Sequence, residues 1–316
     1  MTDRLDPDQA LAADQEITSN NGSASLIMQG DGNLVLYESI PGGSRALWAS
    51  DTWGNPGSSA IMQGDGNLVV YAPDGNPLWA SNTWGNPGAF LVMQDDRNAV
   101  VYAPDWNPLW ASNTYLQTQK VAFYPRQHGF HFSNRFVNRI ATIPEFGTVE
   151  TFGRCGGMAY AALDYYLANV PIPAYTGANY APDGVPPDGN WLADYIYLRL
   201  MNSFFTPSAL NFPAWTVHSD HQTWFYKGVT RWTKEDEFPK LRDRIDGGTP
   251  VVLGLVVANN LGDIGNNHQV VAYGYDFYPG AGFMNVYVYD NNHPDQEVLL
   301  SSDPGNPHFQ ASTGED

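Results

Sequence analysis

Apolar and polar positions alternate in short runs along the first third of the chain, and turn residues separate the runs: Asp31-Gly32, Asn55-Pro56-Gly57 and Pro73-Asp74-Gly75. A period of two, bounded by Gly, Pro, Asn and Asp, predicts short antiparallel strands with one face inward. The pattern also repeats. Leu-Trp-Ala-Ser begins at Leu47, Leu78 and Leu109, a period of 31 residues both times, and Thr-Trp-Gly-Asn-Pro-Gly begins at Thr52 and Thr83. The strings MQGDGNLVLY, MQGDGNLVVY and MQDDRNAVVY begin at Met28, Met62 and Met93. A fixed period of this size means one small unit used three times, none able to bury its own apolar face. Three small sheets around a pseudo-threefold axis are therefore expected, with Trp48, Trp79 and Trp110 in a shared central core rather than on the surface.

The repeat stops at Asn113-Thr114, and Gln117-Thr118-Gln119-Lys120 reads as a short polar link. Beyond it the spacing becomes helical. Met158, Ala162, Leu163, Tyr166 and Leu167 predict a helix from Cys155 to Asn169, ended by Pro171, and Leu192, Ile196 and Leu200 mark a second. A third is expected to open with Thr233 as N-cap and Asp236 at N3, and to close at Gly247-Gly248. Strand-like runs follow: Pro250 to Ala258, His268 to Tyr275 and Met284 to Asp290. Helices first and an antiparallel sheet afterwards predict an α+β domain. The expected organisation is an all-β domain over residues 1–116 and an α+β domain over 117–316.

Charge narrows the partners. Fifteen Lys+Arg against 33 Asp+Glu give a formal charge of −18, which repels phosphate backbones and anionic lipid, so nucleic acid is not expected as a partner. The longest apolar run, Val251 to Ala258, is far shorter than the roughly 20 residues of a membrane-spanning helix. The first twenty-five residues contain no apolar stretch of a secretory signal, which predicts a cytoplasmic chain or release by a leaderless route. One cysteine cannot form an internal disulfide.

The chemistry of the repeat lies in its parity. Gln29, Asp31, Asn33, Val35 and Tyr37 are spaced by two and would share one strand face; so would Gln63, Asp65, Asn67, Val69 and Tyr71, and Gln94, Asp96, Asn98, Val100 and Tyr102. A carboxylate, two amides and a phenol beside a valine offer the mixture of donors and acceptors that a polyol such as a sugar ring needs. A merely solvated face tolerates any polar residue, and would not keep the same five in three copies. Gln-x-Asp-x-Asn-x-Val-x-Tyr, followed by Trp-Ala-Ser-Asn/Asp-Thr, resembles the bulb-type mannose-binding lectins from about Leu11 to Thr114. The resemblance implies a β-prism with three pockets, in which the Gln, Asp, Asn and Tyr positions bind mannose hydroxyls and Val packs on ring carbons. Two departures are visible: the Asp-Cys-Asn often found in plant members reads Asp31-Gly32-Asn33, and their internal disulfide is absent.

The cysteine stands in Arg154-Cys155-Gly156-Gly157-Met158, at the predicted start of a helix, where unpaired amides and the helix dipole favour a thiolate. A nucleophilic sulfur needs an imidazole partner and a group to orient it. His268 opens a strand after a Gly/Asn-rich loop, and Asp290 ends the next strand, within reach if the two strands form a hairpin. A buried, inert cysteine is the alternative. Cys155, then His268 in Asn-His-Gln-Val-Val-Ala-Tyr-Gly-Tyr, then Asp290, resembles the papain-like cysteine peptidases over roughly Phe130 to Leu300. The stretch from Leu241 through Asp-Gly-Gly-Thr-Pro-Val-Val-Leu-Gly-Leu is similar to the segment before the histidine strand in bacterial members. The glutamine expected a few residues before the cysteine is missing; Val149 and Glu150 occupy that region. Gln127, Asn134 or Asn138 could supply the side-chain oxyanion donor instead, and Asn134 is the choice carried forward.

His128-x-x-His131 and His218-x-x-His221 have ligand-like spacing without a third ligand, and Asp290 to Glu297 concentrates oxygen groups without the glycine or spacing of an EF-hand loop. No metal or cofactor is expected. The combined expectation is a mannose-binding β-prism joined to a papain-like domain that cleaves peptide bonds, with mannose-containing glycans or glycoproteins and a peptide as partners and a homodimer left open. The alternative is a carbohydrate-binding protein whose papain-like domain is non-catalytic and serves interaction or oligomerisation.

Overall fold

The computed structural model describes residues 2–143, 147–203, 229–256, 267–303 and 308–314. The chain divides into two compact units: Met1–Gln117 with Phe277–Phe283, and Thr118–Asp276 with Met284–Asp316.

The first unit is built from twelve strands: β1 (Arg4–Leu5), β2 (Gln9–Leu11), β3 (Gln15–Thr18), β4 (Ala24–Met28), β5 (Leu34–Ile40), β6 (Gly43–Ala49), β7 (Ser59–Met62), β8 (Leu68–Tyr71), β9 (Pro77–Ala80), β10 (Phe90–Met93), β11 (Ala99–Tyr102) and β12 (Pro108–Ala111). They form three four-stranded antiparallel sheets, ordered β3-β4-β5-β6, β2-β7-β8-β9 and β1-β10-β11-β12. Each repeat thus supplies three strands, and the N-terminal segment lends one short strand to every sheet. Inward residues such as Ile17, Leu26, Met28, Met62, Leu68 and Leu91 are almost wholly buried in one shared core. Trp48, Trp79 and Trp110 meet edge to face around the axis, with ring centroids 5.2, 5.5 and 5.4 Å apart, the geometry aromatic quadrupoles favour. The structure packs them, partly buried, against the central core.

The exchange of Gly32 and Gly66 for Arg97 in the repeat strings has a structural reason. An added Cβ on Gly32 would lie 2.1 Å from the Asn55 carbonyl oxygen, and on Gly66 2.2 Å from that of Asn86. Both glycines have φ near +95°, where an L side chain is strained as well. The third repeat has no Asn-Pro-Gly turn at that place, so Arg97 is accommodated at φ +74°. It uses its reach to pair with Glu38 at 3.0 Å. Glu38 is buried in the first unit, where Arg45 also pairs with it and the Tyr278 hydroxyl donates to it at 2.9 Å. Burial first, and then that bond, push Tyr278 up to about 12, so it remains a donor at working pH.

The second unit holds β13 (Gln117–Lys120), β14 (Val137–Ile143), β15 (Gly147–Phe152), β16 (Val251–Leu255), β17 (His268–Tyr278), β18 (Phe283–Tyr289), β19 (Val298–Ser302) and β20 (Gln310–Ala311), with helices α1 (Pro125–His128), α2 (Cys155–Leu167) and α3 (Trp191–Ser203). One sheet is ordered β13-β17-β18-β19-β20 with β16 also paired to β17, and β14-β15 is a separate hairpin. The expected polar link at Gln117–Lys120 is therefore a strand: its four polar residues pair with β17. The helix ending at Asp246 also differs from expectation. Thr233 is not its N-cap, because helical turns from Val229 precede it and the Thr233 hydroxyl donates to the Val229 carbonyl. A π-turn covers Thr233–Glu237, and Phe238–Asp246 is regular α-helix that closes at Gly247 and Gly248 as expected. No helix among the described residues is long and apolar enough to cross a membrane.

Candidate functional site

Three equivalent polar clusters sit on the first unit. Residues 29–33 form the tight turn between β4 and β5, with the Gln29 N–H on the Asn33 carbonyl, so the row from Gln29 to Tyr37 is not one strand as parity suggested. Folding of the hairpin brings the ends together instead: Gln29 Nε2 donates to the Tyr37 hydroxyl at 3.1 Å, Gln63 to Tyr71 at 3.0 Å and Gln94 to Tyr102 at 2.8 Å.

The hydrogen bonds fix which atoms remain for a ligand. Asp31, Asp65 and Asp96 each accept the N–H of the asparagine two residues on through Oδ1, at 3.0 Å. Asn33 Oδ1 accepts from the Ser50 hydroxyl and the Thr52 N–H, both at 3.1 Å, and Ser81 with Thr83 and Ser112 with Thr114 do the same for Asn67 and Asn98. Among the described residues this leaves, in every copy, the second carboxylate oxygen, the asparagine Nδ2, the glutamine Oε1 and the tyrosine hydroxyl proton. That is two acceptors and two donors in fixed positions, the complement of adjacent hydroxyl groups. The serine and threonine are what sequence reasoning missed; their identical spacing in Trp-Ala-Ser-x-Thr was the available signal. Val35, Val69 and Val100 lie beside each cluster but are only 3, 2 and 2% exposed, so their apolar contribution is small.

A second cluster lies in the second unit. Cys155 is the first residue of α2 and is partly exposed. Two glycines follow because the helix packs closely there: a Cβ on Gly156 would lie 1.8 Å from Gln269 Oε1, and on Gly157 2.1 Å from the Ile196 carbonyl oxygen. His268 opens β17 opposite Leu255 of β16, and its Nε2 is 2.7 Å from Asp290 Oδ1. Asp290 engages only one ring nitrogen, and the side chain of Cys155 lies near enough to favour the protonated imidazole. Burial alone would lower the His268 pKa, but the hydrogen bonds and charges of Asp290 and Cys155 outweigh it and hold the imidazole well above its ordinary value. Burial likewise works against Asp290, and the His268 partner with the Asn292 N–H keeps it below the usual carboxylate range.

Asn134 stands against the loop before the cysteine. Its Oδ1 accepts the Arg154 N–H at 2.6 Å, its own N–H donates to the Asn291 carbonyl at 2.9 Å, and its Nδ2 lies 2.6 Å from where a Cβ on Gly153 would be. Gln127 is exposed on α1, and the side chain of Asn138 lies outside what the structure describes. Two supports went unread in the sequence. Asn291, wholly buried, donates through Nδ2 to the carbonyls of Cys155 and Gln269, at 3.1 and 2.9 Å. Arg154, also buried, bonds Asp188 at 2.7 Å and the Ala193 carbonyl at 3.0 Å.

The other candidates are engaged elsewhere. His128 Nδ1 accepts the Tyr124 N–H, His131 pairs with Asp295, and Glu297 takes the Tyr273 hydroxyl and Lys120. Among the described residues no group of three or more His, Cys, Asp or Glu could hold a metal ion. His218 and His221 lie outside the described residues.

No protein-family model matches the chain, and no curated protein does. Solved structures similar to its N-terminal third are lectins, several of them mannose-binding. A monomeric monocot mannose-binding lectin from Gastrodia elata is 40% identical over 36% of this chain and 99% of its own, with a TM-score of 0.33. The mannose-specific agglutinin of snowdrop bulbs (Galanthus nivalis), solved with methyl-α-D-mannoside, is 41% identical over 32% of this chain and 88% of its own, at 0.29. A Marasmius oreades lectin is 30% identical over 36% and 92%, at 0.33. None of these comparisons shows a papain-like peptidase.

Proposed function

We propose that this chain binds mannose-containing glycans through three pockets on its first unit, and that its second unit is a papain-like cysteine peptidase which the pockets bring to glycosylated surfaces. The observation that carries the first half is the set of unfilled atoms, the same in all three copies and held there by residues with no other evident task. Gln29, Asp31, Asn33 and Tyr37, with their counterparts Gln63, Asp65, Asn67 and Tyr71 and Gln94, Asp96, Asn98 and Tyr102, hold the sugar hydroxyls. Val35, Val69 and Val100 give each pocket its small apolar edge.

The second half rests on Cys155, His268 and Asp290. With His268 carrying the proton, the sulfur of Cys155 attacks an amide carbonyl carbon to give a tetrahedral oxyanion. The imidazolium then protonates the departing amine as the C–N bond breaks, leaving a thioester that water hydrolyses with His268 as base. Asp290 fixes the ring and its tautomer. The oxyanion is met by the Cys155 N–H and by Asn134 Nδ2, whose carbonyl end is already committed to Arg154. Removing one such donor typically lowers kcat by 10²–10³.

Because Cys155 is the only thiol, its alkylation by iodoacetamide reports on this site alone. The expected result is fast reaction in the native protein from about pH 6 upward, strongly slowed in His268→Ala. An unchanged rate in the variant, or reaction only after denaturation, would overturn the catalytic half. The missing upstream glutamine favours a second reading, in which the domain keeps the fold without turnover; a normal alkylation profile with no hydrolysis of any unfolded protein substrate would select it.

A further inference from the structure

The three pockets differ at their tyrosine ends. In the second repeat the hairpin after Tyr71 turns at Gly75 with φ +86°; in the third, Trp106 takes that place at φ +67°. Among the described non-glycine residues with positive φ, all but Arg97 and Trp106 are Asp or Asn, the side chains that tolerate this region best. A bulky residue there carries backbone strain, and such strain clusters at ligand sites. A second exchange accompanies it. Phe90, the strand partner of Tyr102, stands where the first two repeats have Ser25 and Ser59 opposite Tyr37 and Tyr71. Phe90 is buried beneath the Arg4 guanidinium, which lies 3.6 Å from its ring centroid. The Trp106 ring meets Phe90 edge to face at 4.9 Å and Tyr102 at 5.3 Å, yet 58% of Trp106 remains exposed. The two exchanges therefore build a braced aromatic shelf that continues the third pocket past its tyrosine. At the other end, the loop bonded to the Asp31 and Asp65 carbonyls carries the exposed Trp53 and Trp84 in the first two repeats, and Tyr115 in the third.

We propose that Trp106 is a second subsite of the third pocket, on which the next ring of an oligomannoside stacks. This rests on the mannose-binding reading. A hexose presents a face of C–H groups that suits an aromatic plane, and the ring in the pocket would deliver the attached ring to Trp106 across Tyr102. The first two pockets lack this shelf at their tyrosine ends, so a second ring reaching past the tyrosine would find it only in the third.

The test uses the full chain with Asp31→Ala and Asp65→Ala, so that the third pocket is read alone, titrated calorimetrically with methyl α-mannoside and with an α-linked mannobiose. Trp106→Gly is the probing variant; the second repeat forms the same hairpin with Gly75, so the fold accepts it. The expected result is a roughly tenfold preference for the disaccharide, erased in Trp106→Gly with the monosaccharide affinity unchanged. No preference, a preference that survives the variant, or equal loss for both sugars would overturn the subsite and leave a packing role. Failure of the unmutated chain to bind either sugar would instead bring down the mannose reading itself.

Discussion

At the scale of single residues, the second unit stands or falls with the His268–Asp290 pair. Asp290 is buried and His268 mostly so, and the two are bonded at 2.7 Å; removing one partner of a buried pair costs on the order of 3–5 kcal/mol. The pH dependence follows from the two shifts. A raised folded-state pKa for His268 means its contribution is complete below the unfolded value of about 6.5 and is lost as pH rises through the folded value. A lowered one for Asp290 means its contribution is present above about 3.8 and is lost as pH falls through the folded value. Stabilisation by the pair is therefore greatest between about pH 4 and 6.5. Denaturant unfolding of Asp290→Ala should show its largest deficit against the unmodified chain near pH 5, narrowing steadily toward pH 10. A deficit independent of pH would mean that the carboxylate only fills space.

At the scale of elements, the glycine and hydroxyl positions of the repeat carry the hairpins. Gly66→Ala puts a methyl group 2.2 Å from the Asn86 carbonyl oxygen at φ +96°, and should lower stability by on the order of 3 kcal/mol in thermal unfolding. Arg97→Gly meets no such obstacle and should lose only the pairing with Glu38. A Gly66→Ala variant as stable as the parent would mean that the turn relaxes freely. The repeat itself was legible because its signals are local: alternation, turn residues and a 31-residue period place three sheets before any coordinate is seen. Parity pointed to these residues for the wrong reason, since Gln29 reaches Tyr37 by turning back in a hairpin rather than by sharing a strand face. Local pattern also hid β13, because four polar residues gain strand geometry only from a partner more than 150 positions away in β17. The Tyr278–Glu38 bond, across 240 positions, and Asn291 holding the Cys155 carbonyl leave no trace in spacing at all. The Cys155, His268 and Asp290 trio was legible because each stands at the end of a regular element.

At the scale of the whole molecule, the proposed glycan and thiol functions rest on separate residue sets, and that separation is measurable. Three pockets on one rigid unit raise the effective concentration of each free pocket once one is filled, so binding to a dense mannan surface should exceed binding to free mannoside by 10²-fold or more. Disabling two pockets with Asp31→Ala and Asp65→Ala should then cost far more on the surface than the threefold expected from counting sites. The triple variant with Asp96→Ala should release mannan altogether. None of these carboxylates touches Cys155, His268, Asp290 or Asn134 through any described hydrogen bond, so the iodoacetamide rate at Cys155 should be the same in the triple variant. Mannan retention by surface plasmon resonance and alkylation followed by mass spectrometry read the two halves on one sample. A fall in retention proportional to the pockets removed would mean that they never act together on one surface. A fall in alkylation alongside it would mean that the pocket carboxylates support the thiol site after all.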